Sequence, residues 1–294
     1  MRIFLCGGGD GIQTANAYKK LNETIDHTRP LLYIPLAMES DKYSSCYEWI
    51  TTELKDLNIS NIEMVTQASE IIYKHLDDYC AIFIGGGNTF KLLNDLKTSG
   101  AFETIKEFIN NNGIVFGGSA GAIIFGKNLK SCALDDDNNV NLKDISGFDV
   151  LNGYSILCHY TNRTKEKDEE SKEYLLNLSK EEKIIALPEE DTIYINDTHT
   201  EIIGNKPYYI FENNTIQEKN PKLPEWWFGI DNDKLVNLVL EGKKTATTSL
   251  DITNVSKPGE RRILTFENEK KACIIETKKS LLLNLKILHL KWHF

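Results

Sequence analysis

Three times before residue 120 a short apolar run stops at glycines. Ile3-Phe4-Leu5-Cys6 leads into Gly7-Gly8-Gly9, Ala81-Ile82-Phe83-Ile84 into Gly85-Gly86-Gly87, and Ile114-Val115-Phe116 into Gly117-Gly118. Further apolar runs at 31–35 and 62–65 complete a series of short strands. Between them, residues 11–21, 43–57, 68–75, 89–96 and 101–110 carry helical patterning. Strands that are apolar along their whole length are buried on both faces. Alternation with helices therefore predicts an α/β fold: a mostly parallel sheet with helices on both faces. Such sheets place their chemistry at the carboxyl ends of the strands, so the glycine turns converge on one rim.

Length, charge and cysteine usage narrow the classes. The chain has 294 residues, enough for one large domain or two smaller ones, and 41% hydrophobic residues can fill a sizeable core. A net charge of -9 opposes a general nucleic-acid or anionic-membrane surface, because the overall field repels phosphate. The six cysteines are scattered and form no C-x-x-C pair, so neither a disulfide framework nor a zinc site is indicated. No run is long and apolar enough to span a bilayer, and the first apolar stretch is too short for a signal peptide. The expectation is a reduced, cytoplasmic protein that needs no metal and no cofactor.

Beyond residue 127 the pattern changes. Asp135-Asp136-Asp137-Asn138-Asn139 reads as a solvated loop, 154–158 as a strand and 163–180 as a strongly charged helix. Short strands at 184–187, 192–195, 201–203 and 208–211 are expected to extend or cap the sheet. The polar, proline-bearing stretch 213–224 reads as a linker, with a second domain starting near 222.

The third glycine turn carries a G-x-S-x-G pattern, Gly117-Gly118-Ser119-Ala120-Gly121. A strand that turns at once into a helix forces the residue at the corner into strained backbone angles. Its side chain is then exposed at the rim. A serine there becomes a nucleophile if a base, a group that orients the base, and donors for an oxyanion are nearby. Of six histidines, His159 ends an apolar strand where the rim should lie. The acid should come from another rim loop. Pro188-Glu189-Glu190-Asp191 follows a strand, and Glu189 lies closest to its end; Glu190, Asp191 and Asp135 are alternatives. Ala120 N–H and the Gly86-Gly87 turn are the candidate oxyanion donors. The same glycines suit a phosphate cradle, but neither G-K-[ST] nor a full G-x-G-x-x-G follows.

Four motifs, in order, resemble the peptidase E group of serine peptidases (family S51): Ile84-Gly85-Gly86-Gly87-Asn88-Thr89-Phe90-Lys91-Leu92-Leu93, Gly117-Gly118-Ser119-Ala120-Gly121-Ala122, Cys158-His159-Tyr160 and Leu187-Pro188-Glu189. The resemblance covers about residues 1–218. It implies a fold like class I glutamine amidotransferases and a Ser-His-Glu triad of Ser119, His159 and Glu189. It also implies oxyanion donors at Gly87 and Ala120, and cleavage of short peptides after an amino-terminal aspartate. Aspartate specificity needs a cation. Among five arginines only Arg163 lies near a site segment, so Arg163 and the motif residue Asn88 are the expected substrate-binding residues.

From about 222, Trp226-Trp227-Phe228-Gly229, Gly242-Lys243-Lys244-Thr245-Ala246-Thr247 and Pro258-Gly259-Glu260 resemble the start of an ASCH domain, a small β-barrel with RNA-linked roles. The resemblance places that family's reactive lysine on Lys244 and its threonine on Thr247. It fades after about 277, and the leucine-rich end 281–294 suggests a truncated or frame-shifted, partial barrel. Three functional readings follow: a serine exopeptidase, a small-ligand-binding protein on the same scaffold, or an RNA-linked ASCH module regulated by the first domain. Short peptides are the expected partners of the first reading. A membrane is not expected, nucleic acid only through the C-terminal segment, and homo-oligomerisation stays open.

Overall fold

The computed structural model describes residues 1–59, 61–197, 199–222, 225–226, 231–244 and 258–278. It divides into two compact units, Met1–Lys222 and Leu223–Phe294.

In the first unit, β1 (Arg2–Cys6), β2 (Leu31–Ile34), β3 (Ile62–Met64), β4 (Ala81–Ile84) and β5 (Ile114–Gly118) alternate with five helices. These are α1 (Ala15–Asn22), α2 (Tyr43–Glu53), α3 (Ala68–Ile71), α4 (Thr89–Ser99) and α5 (Ala101–Asn110). A one-turn helix α6 (Ala120–Ile123) follows β5. Beyond it come β6 (Tyr154–Leu157), α7 (Lys165–Leu178), β7 (Lys183–Ala186), β8 (Thr192–Ile195), β9 (Thr200–Ile203), β10 (Tyr208–Glu212) and β11 (Thr215–Lys219). The main sheet has the order β3-β2-β4-β5-β1-β8-β9. Its first five strands are mutually parallel, and β8 joins β1 antiparallel.

The continuous apolar runs are buried on both faces, as a parallel sheet requires. Side chains alternate across it. Ile3, Leu5, Ile82, Ile84 and Val115 enter one core cluster with α4, α5 and α6. Phe4, Tyr33, Phe83 and Phe116 enter the other, with α1 and α2. The second face is aromatic at its centre: Phe83 stacks on Phe116 at 4.7 Å, and Tyr18 of α1 lies 5.3 Å from Phe116.

Of the later strands β8 and β9 extend the first sheet, while β6, β7, β10 and β11 form a second one, order β11-β10-β7-β6. One expectation is corrected. The stretch 213–220 is not a linker. Asn213 and Asn214 both take left-handed angles (φ 52° and 57°) and turn β10 into β11 as a tight hairpin. Asparagine tolerates that region because its short side chain bonds locally, and two positive-φ residues give the twist that a two-residue hairpin needs. The polar composition marked a turn and an edge strand.

The second unit contains β12 (Glu225–Trp226), α8 (Asn232–Leu240), β13 (Arg261–Thr265) and β14 (Lys271–Glu276), with sheet order β12-β13-β14. Buried Asn232 donates from Nδ2 to the Thr265 carbonyl at 2.9 Å and ties the helix to the sheet. Lys244 lies just past α8, its N–H donating to Leu238 O at 2.9 Å. Thr247 and residues 279–294, on which the truncation reading rested, lie outside the described residues.

Candidate active site

Ser119 sits between β5 and α6 with φ 54° and ψ −116°, the strained corner that the strand-to-helix pattern predicts. The corner is tight because the backbone packs against itself. A Cβ on Gly117 would lie 2.2 Å from Gly121 O, and one on Gly121 would lie 2.2 Å from Ile84 O. Gly118 meets nothing within 4 Å, so the pattern's close approaches belong to its first and last glycines. The register brings Cys6 beside Gly118 and Ile84 beside Gly117, which aligns three strand ends. Ser119 N–H donates to Cys6 O at 3.1 Å.

His159 arrives from the second sheet. Its N–H donates to Gly7 O at 2.9 Å, while Tyr160 N–H donates to Leu187 O at 2.9 Å, so the ends of β1, β6 and β7 are laced together. His159 Nε2 lies 2.8 Å from Ser119 Oγ, and its Nδ1 lies 2.8 Å from Glu189 Oε1. An ionised carboxylate only accepts, so Nδ1–H donates to Glu189 and Nε2 is left to accept from the serine hydroxyl. The imidazole lies close against Gly8, where a Cβ would be 2.2 Å from Cε1.

Backbone strain collects here. Most non-glycine residues at positive φ among the described residues are Asn or Asp; three of the four that are not are Ser119, His159 (φ 59°) and Thr161 (φ 72°). Left-handed angles at a β-branched residue persist only where the surrounding structure imposes them.

The four acids considered from the sequence are separated by their contacts. Glu189 faces His159. Glu190 accepts from Asn162 Nδ2 at 3.1 Å. Asp191 is fully buried and accepts from the N–H groups of Asn205 and Lys206, at 3.1 and 3.2 Å. Asp135 pairs with Arg163 at 2.7 Å.

The expected carboxylate-binding role of Arg163 meets a physical obstacle. Its guanidinium also donates to Ser171 Oγ at 3.0 Å and to Cys158 O at 2.8 Å, so it braces the residue before His159 from beneath the site. Asn88 is similarly engaged: it caps α4 by accepting from Lys91 N–H at 2.9 Å, and its Nδ2 donates to Asp137 O at 2.9 Å. Gly87 takes φ +136°, a conformation open to glycine, and a Cβ there would meet Ala37 O at 2.4 Å; its neighbour Gly86 is the one that approaches Ser119, where a Cβ would lie 3.1 Å from the serine Cβ. Ala120 is the first residue of α6, so its N–H has no acceptor within the helix.

Two residues escaped the sequence reading. Gln13 Nε2 donates to Glu189 Oε2 at 2.7 Å, while its Oε1 accepts from Asp10 N–H at 3.1 Å. Asn162 Oδ1 accepts from Glu189 N–H at 2.9 Å. The expected helix 11–21 hid Gln13; α1 starts only at Ala15, which leaves 10–14 as a rim loop. The glycine turn after β1 was the available signal that this loop borders the site.

The thiols near the site are inert. Burial pushes Cys6 up to about 11 and Cys158 well above its ordinary value, so both stay protonated and poorly nucleophilic. Asp136, whose carboxylate accepts from Thr89 N–H at 2.9 Å, is also held above the ordinary carboxylate range by burial. All six cysteines are free.

Comparison with known proteins agrees with this architecture. The profile of peptidase family S51 matches residues 3–203, and that of the ASCH domain matches 225–289, continuing past the point near 277 where the sequence resemblance fades. Peptidase E of Shigella flexneri is 27% identical over 206 residues, covering 67% of this chain and 86% of the relative. Peptidase E of Nostoc sp. is 27% identical over 193 residues, covering 63% and 76%. Among solved structures, a peptidase from an acI-B1 actinobacterium superposes with a TM-score of 0.60 at 17% identity, over 75% of this chain and 94% of its own. A Listeria monocytogenes EGD-e protein assigned as a peptidase E gives 0.57 at 23% identity, over 70% and 98%. These two likenesses bear on the fold.

Proposed function

The chain belongs to peptidase family S51 and is a serine peptidase, and from that premise we propose that it cleaves short peptides through a Ser119–His159–Glu189 triad. The observation that carries this reading is the unbroken hydrogen-bond chain from Ser119 Oγ through both imidazole nitrogens to Glu189. Ser119 Oγ attacks the scissile carbonyl as His159 Nε2 takes its proton. His159 then returns that proton to the leaving amine. Glu189 holds the imidazole in the tautomer whose Nε2 is free to accept and stabilises the imidazolium. Gly87 and Ala120 N–H groups receive the developing oxyanion. Water then hydrolyses the ester, with His159 as base. No cofactor takes part in these steps.

The amino-terminal aspartate that the resemblance implies finds less support. Arg163, the cation offered for it, is engaged by Asp135, Ser171 and Cys158. The exopeptidase reading therefore keeps short peptides as substrates without resting on Arg163. A cytoplasmic setting fits six unpaired cysteines, since reducing compartments keep thiols free. Among the described residues no helix is long and apolar enough to cross a membrane.

Steady-state hydrolysis of a dipeptide and tripeptide panel tests the proposal. Ser119→Ala, with its circular dichroism unchanged, should lose activity by about three orders of magnitude or more. Activity retained in that variant would remove Ser119 from the mechanism.

A further inference from the structure

A cavity of about 250 Å³ opens directly beside the Ser119 hydroxyl and the His159 ring. Four aromatic side chains line it, Phe83 and Phe116 from the sheet, Tyr18 from α1 and Trp49 from α2, together with Thr14, Cys6 and the glycine turns. Trp49 meets Phe83 edge-on at 6.2 Å and is 40% exposed, a large apolar side chain left partly open at the cavity's edge. Among the described residues no lysine or arginine lines this cavity. His159 and Cys6 are titratable groups of its lining, and an acid lies beside its wall: Glu53, one turn after Trp49 on α2, is held above its ordinary value by burial and by the charge of Asp10.

This chemistry selects a ligand. The volume falls below the roughly 300–1,000 Å³ of pockets that enclose a drug-sized molecule, so it suits one side chain rather than a whole ligand. Aromatic faces carry partial negative charge and offer a carboxylate no hydrogen bond. Burying an aspartate side chain among them, next to Glu53, is unfavourable. An apolar or aromatic side chain loses nothing there and gains burial and ring contacts. The cavity also has a reason to be apolar: it is the continuation of the aromatic sheet face already formed by Phe4, Phe83 and Phe116.

We propose that the cavity formed by Tyr18, Trp49, Phe83 and Phe116 beside Ser119 receives the side chain of the substrate's amino-terminal residue and selects an apolar or aromatic one over aspartate. This inference rests on the serine-peptidase reading above and specifies its substrate class.

The test compares kcat/KM for Leu-Ala, Phe-Ala, Ala-Ala and Asp-Ala, in the full chain and in Trp49→Ala, with fluorophosphonate labelling of Ser119 run on the same preparations. The expected result is a preference of about ten- to a hundredfold for Leu-Ala or Phe-Ala over Ala-Ala, the range that apolar pocket contacts support. Asp-Ala should be poorest, and the preference should shrink in Trp49→Ala while Ser119 still labels. Asp-Ala as the best substrate, an unchanged Leu/Ala ratio in Trp49→Ala, or Ser119 labelling without cleavage of any of the four would overturn the assignment and leave the nucleophile intact. Absence of labelling in the folded wild-type chain would instead fell the serine-peptidase reading, and this inference with it.

Discussion

Two acidic runs border the site, and they do different work. Pro188-Glu189-Glu190-Asp191 leaves β7 and presents one carboxylate to His159 Nδ1. Asp135-Asp136-Asp137 leaves the loop after α6 and turns inward: Asp135 holds Arg163, Asp136 takes Thr89 N–H at the start of α4, and the Asp137 carbonyl takes Asn88 Nδ2. The first acts on the imidazole itself. The second fixes the scaffold under Cys158 and Gly87. Three consecutive acids thus give a contact to His159 in one run and a structural clasp in the other. What separates them is which loop crosses the strand ends at the height of the histidine ring.

The sharpest way to break this comparison is to neutralise one carboxylate in each run. Glu189→Gln keeps the side chain's shape but can donate to Nδ1, favouring the wrong tautomer. Peptide hydrolysis should fall by about 10²–10⁴-fold, with urea stability nearly unchanged. Asp135→Asn should show its largest effect in stability. Breaking the pair with the mostly buried Arg163 costs about 1–3 kcal/mol, and an urea-denaturation double-mutant cycle with Arg163→Gln should show coupling of that order. A cycle that adds without coupling would mean the clasp is incidental.

Smaller effects sharpen the same contrast. Gln13→Ala removes the donor on Glu189 Oε2 but leaves the contact to His159. Its kcat should drop about tenfold, the worth of one charge-assisted hydrogen bond, and Gln13→Asn should not restore it because the shorter side chain cannot reach. Asp136 supplies the smallest signal. Burial raises its folded pKa above the unfolded value, so its contribution to stability is full below the ordinary 3.8 and is lost as pH rises through the folded pKa. Asp136→Asn should flatten the stability profile over that window, measured by urea midpoints at stepped pH.

The sequence made the first five strands legible because buried parallel strands are apolar without interruption, and the glycine turns announced the rim. Ser119 and His159 were readable as strand-end residues. Glu189 could be favoured but not separated from Glu190 and Asp191 by local pattern. Their fates depend on Asn162, on the turn at 204–206 and on the crossing of β1, all distant in sequence. The contacts of Arg163 were hidden for the same reason: Asp135, which pairs with it, lies 28 residues earlier. The second sheet was hidden because β7 and β8 follow one another closely yet pair with different neighbours.

The account turns on Ser119 as a nucleophile activated by His159 and Glu189, and the rate of inactivation by a fluorophosphonate measures that directly. Wild-type protein should form one adduct, located by mass spectrometry on the peptide containing Ser119. Glu189→Gln should slow the rate by about two orders of magnitude. An adduct on another residue, or a rate that ignores Glu189→Gln, would contradict it.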